Sequence, residues 1–272
     1  MTPLLLSPLD LAIAALLLVG SACLSVWLSL GVQRPLLVAA ARMVVQLLLV
    51  GLILQKVLAT ASPWLTALVV LAMMGAASHA VGTRQRQGLR GPWMLGLSTT
   101  VVSVTTLAVT LLALQTALRP DPWYDARHAI PLAGIVLGGV MNAASLALND
   151  LFHAVRRERT AIEARLALGA SRREAFQGVA RRAVLTGIMP HVNQMTAAGI
   201  ITLPGIMTGQ VLAGMDPMEA AKYQILLMCL LGAGSLLAAV GATSLAVRRL
   251  SDTRDRLRLD RLRDPARTGR KP

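Results

Sequence analysis

Several long apolar runs in this sequence contain residues that a lipid-facing helix avoids. Arg42 and Gln46 stand one helical turn apart, so a helix places them on one face. An arginine within a membrane span costs at least ~2.5 kcal/mol on insertion scales. Its guanidinium is therefore expected against backbone carbonyls, water or an anionic substrate, or else as a structural cap on broken helix ends. Asn142 interrupts another apolar run, where it either lines a path or bridges helices. The stretch MPHVNQM brings Asn193, Gln194 and Met195 just after Pro190 and His191. GIITLPGIMTGQVLAG follows, with Pro204, Met207, Thr208 and Gln210. Proline removes a backbone donor and frees a carbonyl at membrane depth, which is tolerated only against protein or a wet cavity. Broken helices of this kind form substrate sites in transporters; the plainer alternative is a kink filled by neighbouring helices.

The chemistry these residues offer is the binding and passage of a solute rather than bond making. No H-E-x-x-H, C-x-x-C or G-x-S-x-G occurs, and no G-x-x-x-x-G-K-S/T phosphate loop. The sequence assigns no catalytic residue and no cofactor to this chain. It also assigns no metal ligand set: His191 has no second ligand one turn on, and methionine suits soft copper(I) better than iron. Met195 and Met207 read more simply as adaptable packing. Cys23 and Cys229 lie in apolar runs without metal-ligand spacing.

Composition indicates where these residues sit. Of the 272 residues, 55% are hydrophobic and 15% charged, with a mean hydropathy of +0.61, which places the chain among integral membrane proteins. Seven segments are long enough to span, at 9–32, 36–58, 64–82, 93–118, 130–151, 185–213 and 223–247. The fold expected is all-α, a polytopic membrane protein of about seven transmembrane helices. The net charge of +14 could suggest nucleic acid, but the basic residues come in blocks between apolar runs. Of the 27 Lys and Arg, Lys56, Arg119, Arg127 and Lys222 fall in one set of alternate connections and Arg42 within a span, while the rest fall in the other set. The positive-inside rule then puts the N-terminus outside and the C-terminus in the cytoplasm, with lipid and not nucleic acid as the partner. The first run lacks a basic leader and is expected to be retained.

The longest internal connection, 153–184, reads as two short amphipathic helices. Ile162, Leu166 and Leu168 give the first an apolar side; Gly169 is placed to end it. Ser171 and Glu174 form an S-x-x-E capping box that starts the second. The result is a firm knob rather than a loose basic arm, although attraction to anionic lipid is the simpler reading. Gly134 and Gly138, four apart, suggest a close helix-packing face. The tail from residue 249 to 272 alternates Arg with Asp and Leu. It is expected to begin as helix and end as a solvated extension, against lipid or a partner subunit.

The E-A-R-x-x-x-G of the knob (Glu163, Ala164, Arg165, Gly169) resembles the cytoplasmic loop by which ABC-transporter permeases dock on their ATPase. The I-x-L-P that follows in importers is replaced here by Val179 and Arg181-Arg182. ARLALGASRREAF, then P-x-x-N-Q-M, LPGIMTGQVLAG-x-x-P and KYQI resemble the bacterial family of iron-export ABC permeases, to which plant aluminium-tolerance half-transporters are related. The resemblance extends to Arg42, Gln46 and Leu47 and covers nearly the whole chain.

It implies a permease domain over 1–248 in the bacterial inner membrane, forming a homodimer and working with a separate ATP-binding cassette subunit that holds the ATP. Coupling to that subunit would fall to Glu163, Ala164, Gly169, Ala170, Ser171 and Glu174. The substrate path would fall to Arg42, Gln46, Asn142, Asn193, Gln194, Met195, Pro204, Met207, Thr208 and Gln210. Iron as cargo comes from the resemblance alone. Two alternatives stand beside it: a secondary metal/proton antiporter, which needs a deep carboxylate, and a non-transporting membrane scaffold.

Overall fold

The computed structural model describes residues 7–60, 62–85, 87–252 and 254–263. Arg86 of the expected inside set and the end of the tail, 264–272, lie outside these residues. Among the described residues run nine α-helices: α1 (Pro8–Trp27), α2 (Gln33–Thr60), α3 (Pro63–Arg84), α4 (Trp93–Leu112), α5 (Ala126–Arg157), α6 (Arg159–Ala167), α7 (Arg172–Ala197), α8 (Gly205–Leu212) and α9 (Pro217–Leu250). The protein is an all-α membrane protein. Six helices, α1 to α5 and α9, are long and apolar enough to cross a bilayer. The remaining expected span, 185–213, is divided between α7 and α8.

Two compact units result. The first holds α1 and α2, joined by a turn in which Ser29 and Gly31 take positive φ of 52° and 71°. Within that turn Ser25 Oγ accepts the Val32 N–H at 3.2 Å and donates to Gln33 Oε1 at 3.1 Å.

The second unit is built around α5 and α9, with α3, α4 and α7 packed on them and α8 against α9. Lipid tails are as apolar as leucine, so helices in a membrane gain little from burying large side chains and associate through close contact of small ones. This bundle follows that rule. Ala143, Ala144 and Ala147 of α5 and Ala238, Ala239, Ala242 and Ala246 of α9 are all buried. Gln85, at the end of α3, donates its side-chain N–H to the Ser145 carbonyl of α5 at 3.0 Å, inside the same core.

Three expectations need correction. The connection 153–184 does not hold two short helices: α5 runs on to Arg157, α6 alone is short, and the second helix is the start of α7, unbroken to Ala197. Gly178, Gly187 and Pro190 weaken α7 locally, but the bundle packed along it outweighs their cost. Of the two glycines of α5 expected to pack, only Gly134 does so. Gly134 meets Met73 of α3, but Gly138 faces open space, and it is Gly139 that lies against Leu231 and Ser235 of α9.

The third correction concerns the tail, whose residues 254–263 fold back instead of extending. Arg258 N–H bonds the Leu250 carbonyl, Arg90 N–H the Arg261 carbonyl, and Arg263 N–H the Gly88 carbonyl, at 2.8, 2.8 and 2.9 Å. Leu262 is thereby buried beside Leu89. Leucines alternating with arginines let one side of the segment pack while Arg258 pairs outward with Asp260 at 2.9 Å.

Candidate functional site

Where α5, α7 and α9 meet, a small polar cavity of about 80 Å³ opens between them. Close helix approach makes it. A methyl group on Gly187 of α7 would stand 2.7 Å from the Ala143 carbonyl oxygen, and one on Gly139 of α5 would stand 3.2 Å from Ser235 Oγ. Glycine at these positions brings three backbones together and leaves the side chains just beyond to face one another. Those side chains are Asn142 of α5, His191 and Gln194 of α7 and Ser235 of α9.

His191 is buried, with Nε2 at 3.1 Å from the Met228 carbonyl oxygen. A carbonyl only accepts, so Nε2 donates a proton to it. Ser235 is 2% exposed, yet its hydroxyl has no partner among the described residues. A buried hydroxyl of this kind ordinarily meets water or a ligand. Asn142 and Gln194 are exposed side chains at the cavity's rim. The polar lining is thus two amides, a hydroxyl and an imidazole. Among the described residues no cluster of three His, Cys, Asp or Glu exists to hold a metal. Imidazole is a donor suited to zinc, copper, iron and nickel, and carbonyl oxygen to harder cations.

The other expected path residues are not among its lining. Asn193 and Met195 are on α7 beside this cavity but do not line it; Met195 Sδ would lie 3.6 Å from a methyl group on Gly232 of α9. Arg42 and Gln46 sit on α2 in the first unit, both exposed. Pro204 does not kink a continuous span. α7 ends at Ala197, Gly199 turns the chain at a φ of +86°, and its N–H bonds the Thr202 carbonyl at 2.9 Å. Pro204 then caps α8, accepting the Thr208 N–H at 3.0 Å and its hydroxyl at 3.2 Å. Met207 and Gln210 follow on α8, and Gln210 Oε1 is buried without a partner among the described residues.

At the other end of α7 stands the knob. Its turn is a two-bond helix stop: Ala170 N–H reaches the Arg165 carbonyl at 3.0 Å and Gly169 N–H the Leu166 carbonyl at 3.1 Å. Gly169 takes a φ of +90°, which an L side chain strains to reach. Ser171 and Glu174 form the expected reciprocal cap, with Glu174 Oε2 accepting the Ser171 N–H at 2.8 Å and its hydroxyl at 2.7 Å. These bonds, the hydroxyl's first, hold the Glu174 carboxyl below the usual carboxylate range. Glu163 pairs with Arg159 at 2.9 Å.

Ile162 anchors α6 in the core, with Leu166 packed beside it. Leu168, expected on that apolar side, is instead 88% exposed at the tip, and Ala164 is exposed on the outer face. The helix stop points the residue just before Gly169 outward. Glu158, between α5 and α6, receives Arg182 of α7 at 2.7 Å, and that bond leads in lowering its carboxyl pKa.

Sequence reasoning did not single out Ser235, Gly139 or Gly187. The signal was present: Gly139 and Asn142, Gly187 and His191, and Gly232 and Ser235 repeat a small residue followed one turn later by a polar one.

Residues 8–251 match the family described as "Uncharacterised protein family (UPF0014)". The chain is 36% identical to the UPF0014 membrane protein slr1647 of Synechocystis over 82% of its own length and 85% of the relative's. It is 29% identical to the Escherichia coli protein named "Probable iron export permease protein FetB", over 93% and 96% of the two chains. With the Arabidopsis protein ALUMINUM SENSITIVE 3 it shares 28% identity over 80% and 77%. No solved structure matches the chain. Since the match takes in every one of the nine α-helices, this chain belongs to the UPF0014 family of membrane proteins.

Proposed function

We propose that this chain is the membrane permease of an ATP-driven exporter, carrying iron or a related metal ion and energised by a separate ATP-binding cassette subunit. One observation carries the reading: α7 is a single helix from the knob to the polar cavity. From Arg172 to His191 it spans roughly 28 Å at the helical rise. A partner that grips the knob and moves can therefore shift His191 and Gln194 directly.

In this mechanism the knob faces the cytoplasm. Leu168 and the outer face of α6 supply an apolar contact to the ATPase, and the Gly169 turn with its Ser171–Glu174 cap keeps α6 and α7 from moving separately. ATP binding closes the ATPase pair and tilts α7. The movement changes how Asn142, His191, Gln194 and Ser235 present their donors, so that a partly dehydrated cation is held on one side and released on the other. The turn at 198–204 lets α8 follow or lag without bending α7. Two copies facing each other through Asn142 and Gln194 would enclose the path and remove these amides from lipid. The iron export in the name of the Escherichia coli relative and the oxygen and imidazole donors of the cavity together favour a metal ion as cargo.

The antiporter alternative needs a deep carboxylate, and among the described residues none is buried. The test is co-purification of the chain with its ATP-binding cassette subunit, followed by hydrolysis assays in lipid. The reading expects ferrous iron to stimulate hydrolysis and Gln194→Ala to reduce that stimulation about tenfold while basal hydrolysis persists. Absence of any complex, or equal stimulation in the variant, would contradict it.

A further inference from the structure

A second opening, of about 760 Å³, lies between α7 and α9. It shares no lining residue with the polar cavity. Arg172 and Arg173 stand near the start of α7 and Arg248 near the end of α9, with Arg181 roughly 12 Å farther along α7 than Arg173. From Arg173 to Ile188 the groove follows α7 for roughly 22 Å at the helical rise. Beyond the arginines its walls are hydrocarbon, chiefly Leu185, Leu236 and Val240, which remain 44%, 46% and 44% exposed.

The charge in this groove is uncompensated. Among the described residues no acidic side chain lines it, and Arg173, Arg181 and Arg248 make no ion pair. Their neighbours differ: Arg182 is engaged by Glu158 and Arg159 by Glu163. An occupant must therefore present an anion at the mouth and hydrocarbon along the wall. A soluble anion answers only the arginines, and a zwitterionic lipid brings no net charge. A second copy of a chain with net charge +14 is a poor counterpart.

We propose that this groove binds one anionic phospholipid, its phosphate among Arg173, Arg181 and Arg248 and an acyl chain along Leu185, Leu236 and Val240. The inference does not depend on the transport reading. Arg173 and Arg248 lie close to helix ends, and the long Arg181 side chain can extend its charge toward them; basic groups at headgroup depth each contribute to attraction for acidic lipid.

The test is native mass spectrometry of the full chain in detergent with added phosphatidylglycerol or phosphatidylcholine. One phosphatidylglycerol per chain is expected at concentrations where phosphatidylcholine does not bind. Arg181→Gln with Arg248→Gln should weaken it roughly twentyfold, and Arg173→Gln, in the exposed first turn, roughly fivefold. The double lysine variant should keep most of the binding, which separates loss of charge from loss of fold. Equal retention of both lipids, or undiminished binding in every glutamine variant, would overturn the proposal. So would displacement by an equal concentration of inorganic phosphate, which would mark a site for free anion. A photo-crosslinker at Val240 should label lipid; adducts to another chain instead would assign the groove to a protein interface and also overturn it.

Discussion

A methyl group added to Gly187 would stand 2.7 Å from the carbonyl oxygen of Ala143. That backbone oxygen cannot turn away as a side chain would, so α7 and α5 must separate to admit it. Gly187→Ala should lower stability by about 1–3 kcal/mol, the usual cost of overpacking. Gly96→Ala makes the control, because a methyl group there meets nothing within 4 Å. Thermal unfolding of both variants in one detergent checks this; an unchanged midpoint for Gly187→Ala would refute the close approach.

The polar cavity predicts a graded transport phenotype. Asn142→Ala, Gln194→Ala and Ser235→Ala should each reduce metal transport about tenfold, the equivalent of one lost polar contact, with protein levels unchanged. Asn193→Ala, one residue from Gln194 but not on the cavity, should have little effect. Transport rates in vesicles at matched protein would decide; equal losses at Asn193 and Gln194 would argue against the cavity.

Gly169→Ala forces an L residue to a φ of +90°, and the left-handed region costs an ordinary residue roughly 1–2 kcal/mol. The strain falls on the knob and not on the core, so the fold should persist while ATPase stimulation drops. Ser171→Ala should act in the same direction by releasing Glu174. The ratio of metal-stimulated to basal hydrolysis is the readout, and a normal ratio in both variants would remove the knob from coupling.

The Glu158–Arg182 pair predicts a pH dependence. Arg182 depresses the folded-state pKa of Glu158, so the contribution of the pair is present above the ordinary carboxylate value and is lost as pH falls through and below it, near pH ~4. Glu158→Gln should be less stable than wild type at neutral pH, and the gap should narrow on acidification. Unfolding midpoints across that range, for both proteins, give the check; a gap that widens toward acid would contradict the sign.

Much of this was legible from residue types. The apolar runs predicted the all-α membrane fold, and the Gly169 and Ser171–Glu174 signals located the knob because capping is a local property. The unbroken course of α7 was not legible: Pro190 and Gly187 are local signals for a break, and only the packing of α5 and α9 along the helix overrides them. Likewise Pro204 reads alone as a kink, whereas Gly199, already at positive φ five residues earlier, ends the helix first. The cavity was half legible. Asn142 and Gln194 stand out as polar residues in apolar runs, but Ser235 gains its meaning only when Gly139 brings α5 against α9. The packed tail escaped notice because Leu262 finds Leu89 across the chain, a pairing no local pattern reveals.

The measurement that bears most directly on the central claim is metal movement in liposomes containing this chain and the proposed ATP-binding cassette subunit, with the ATPase facing outward. The account predicts ATP-dependent accumulation of radioactive ferrous iron inside the liposomes, reduced by Gln194→Ala and by Gly169→Ala. No accumulation of any tested metal with ATP, or accumulation driven by a pH gradient from this chain alone, would contradict it.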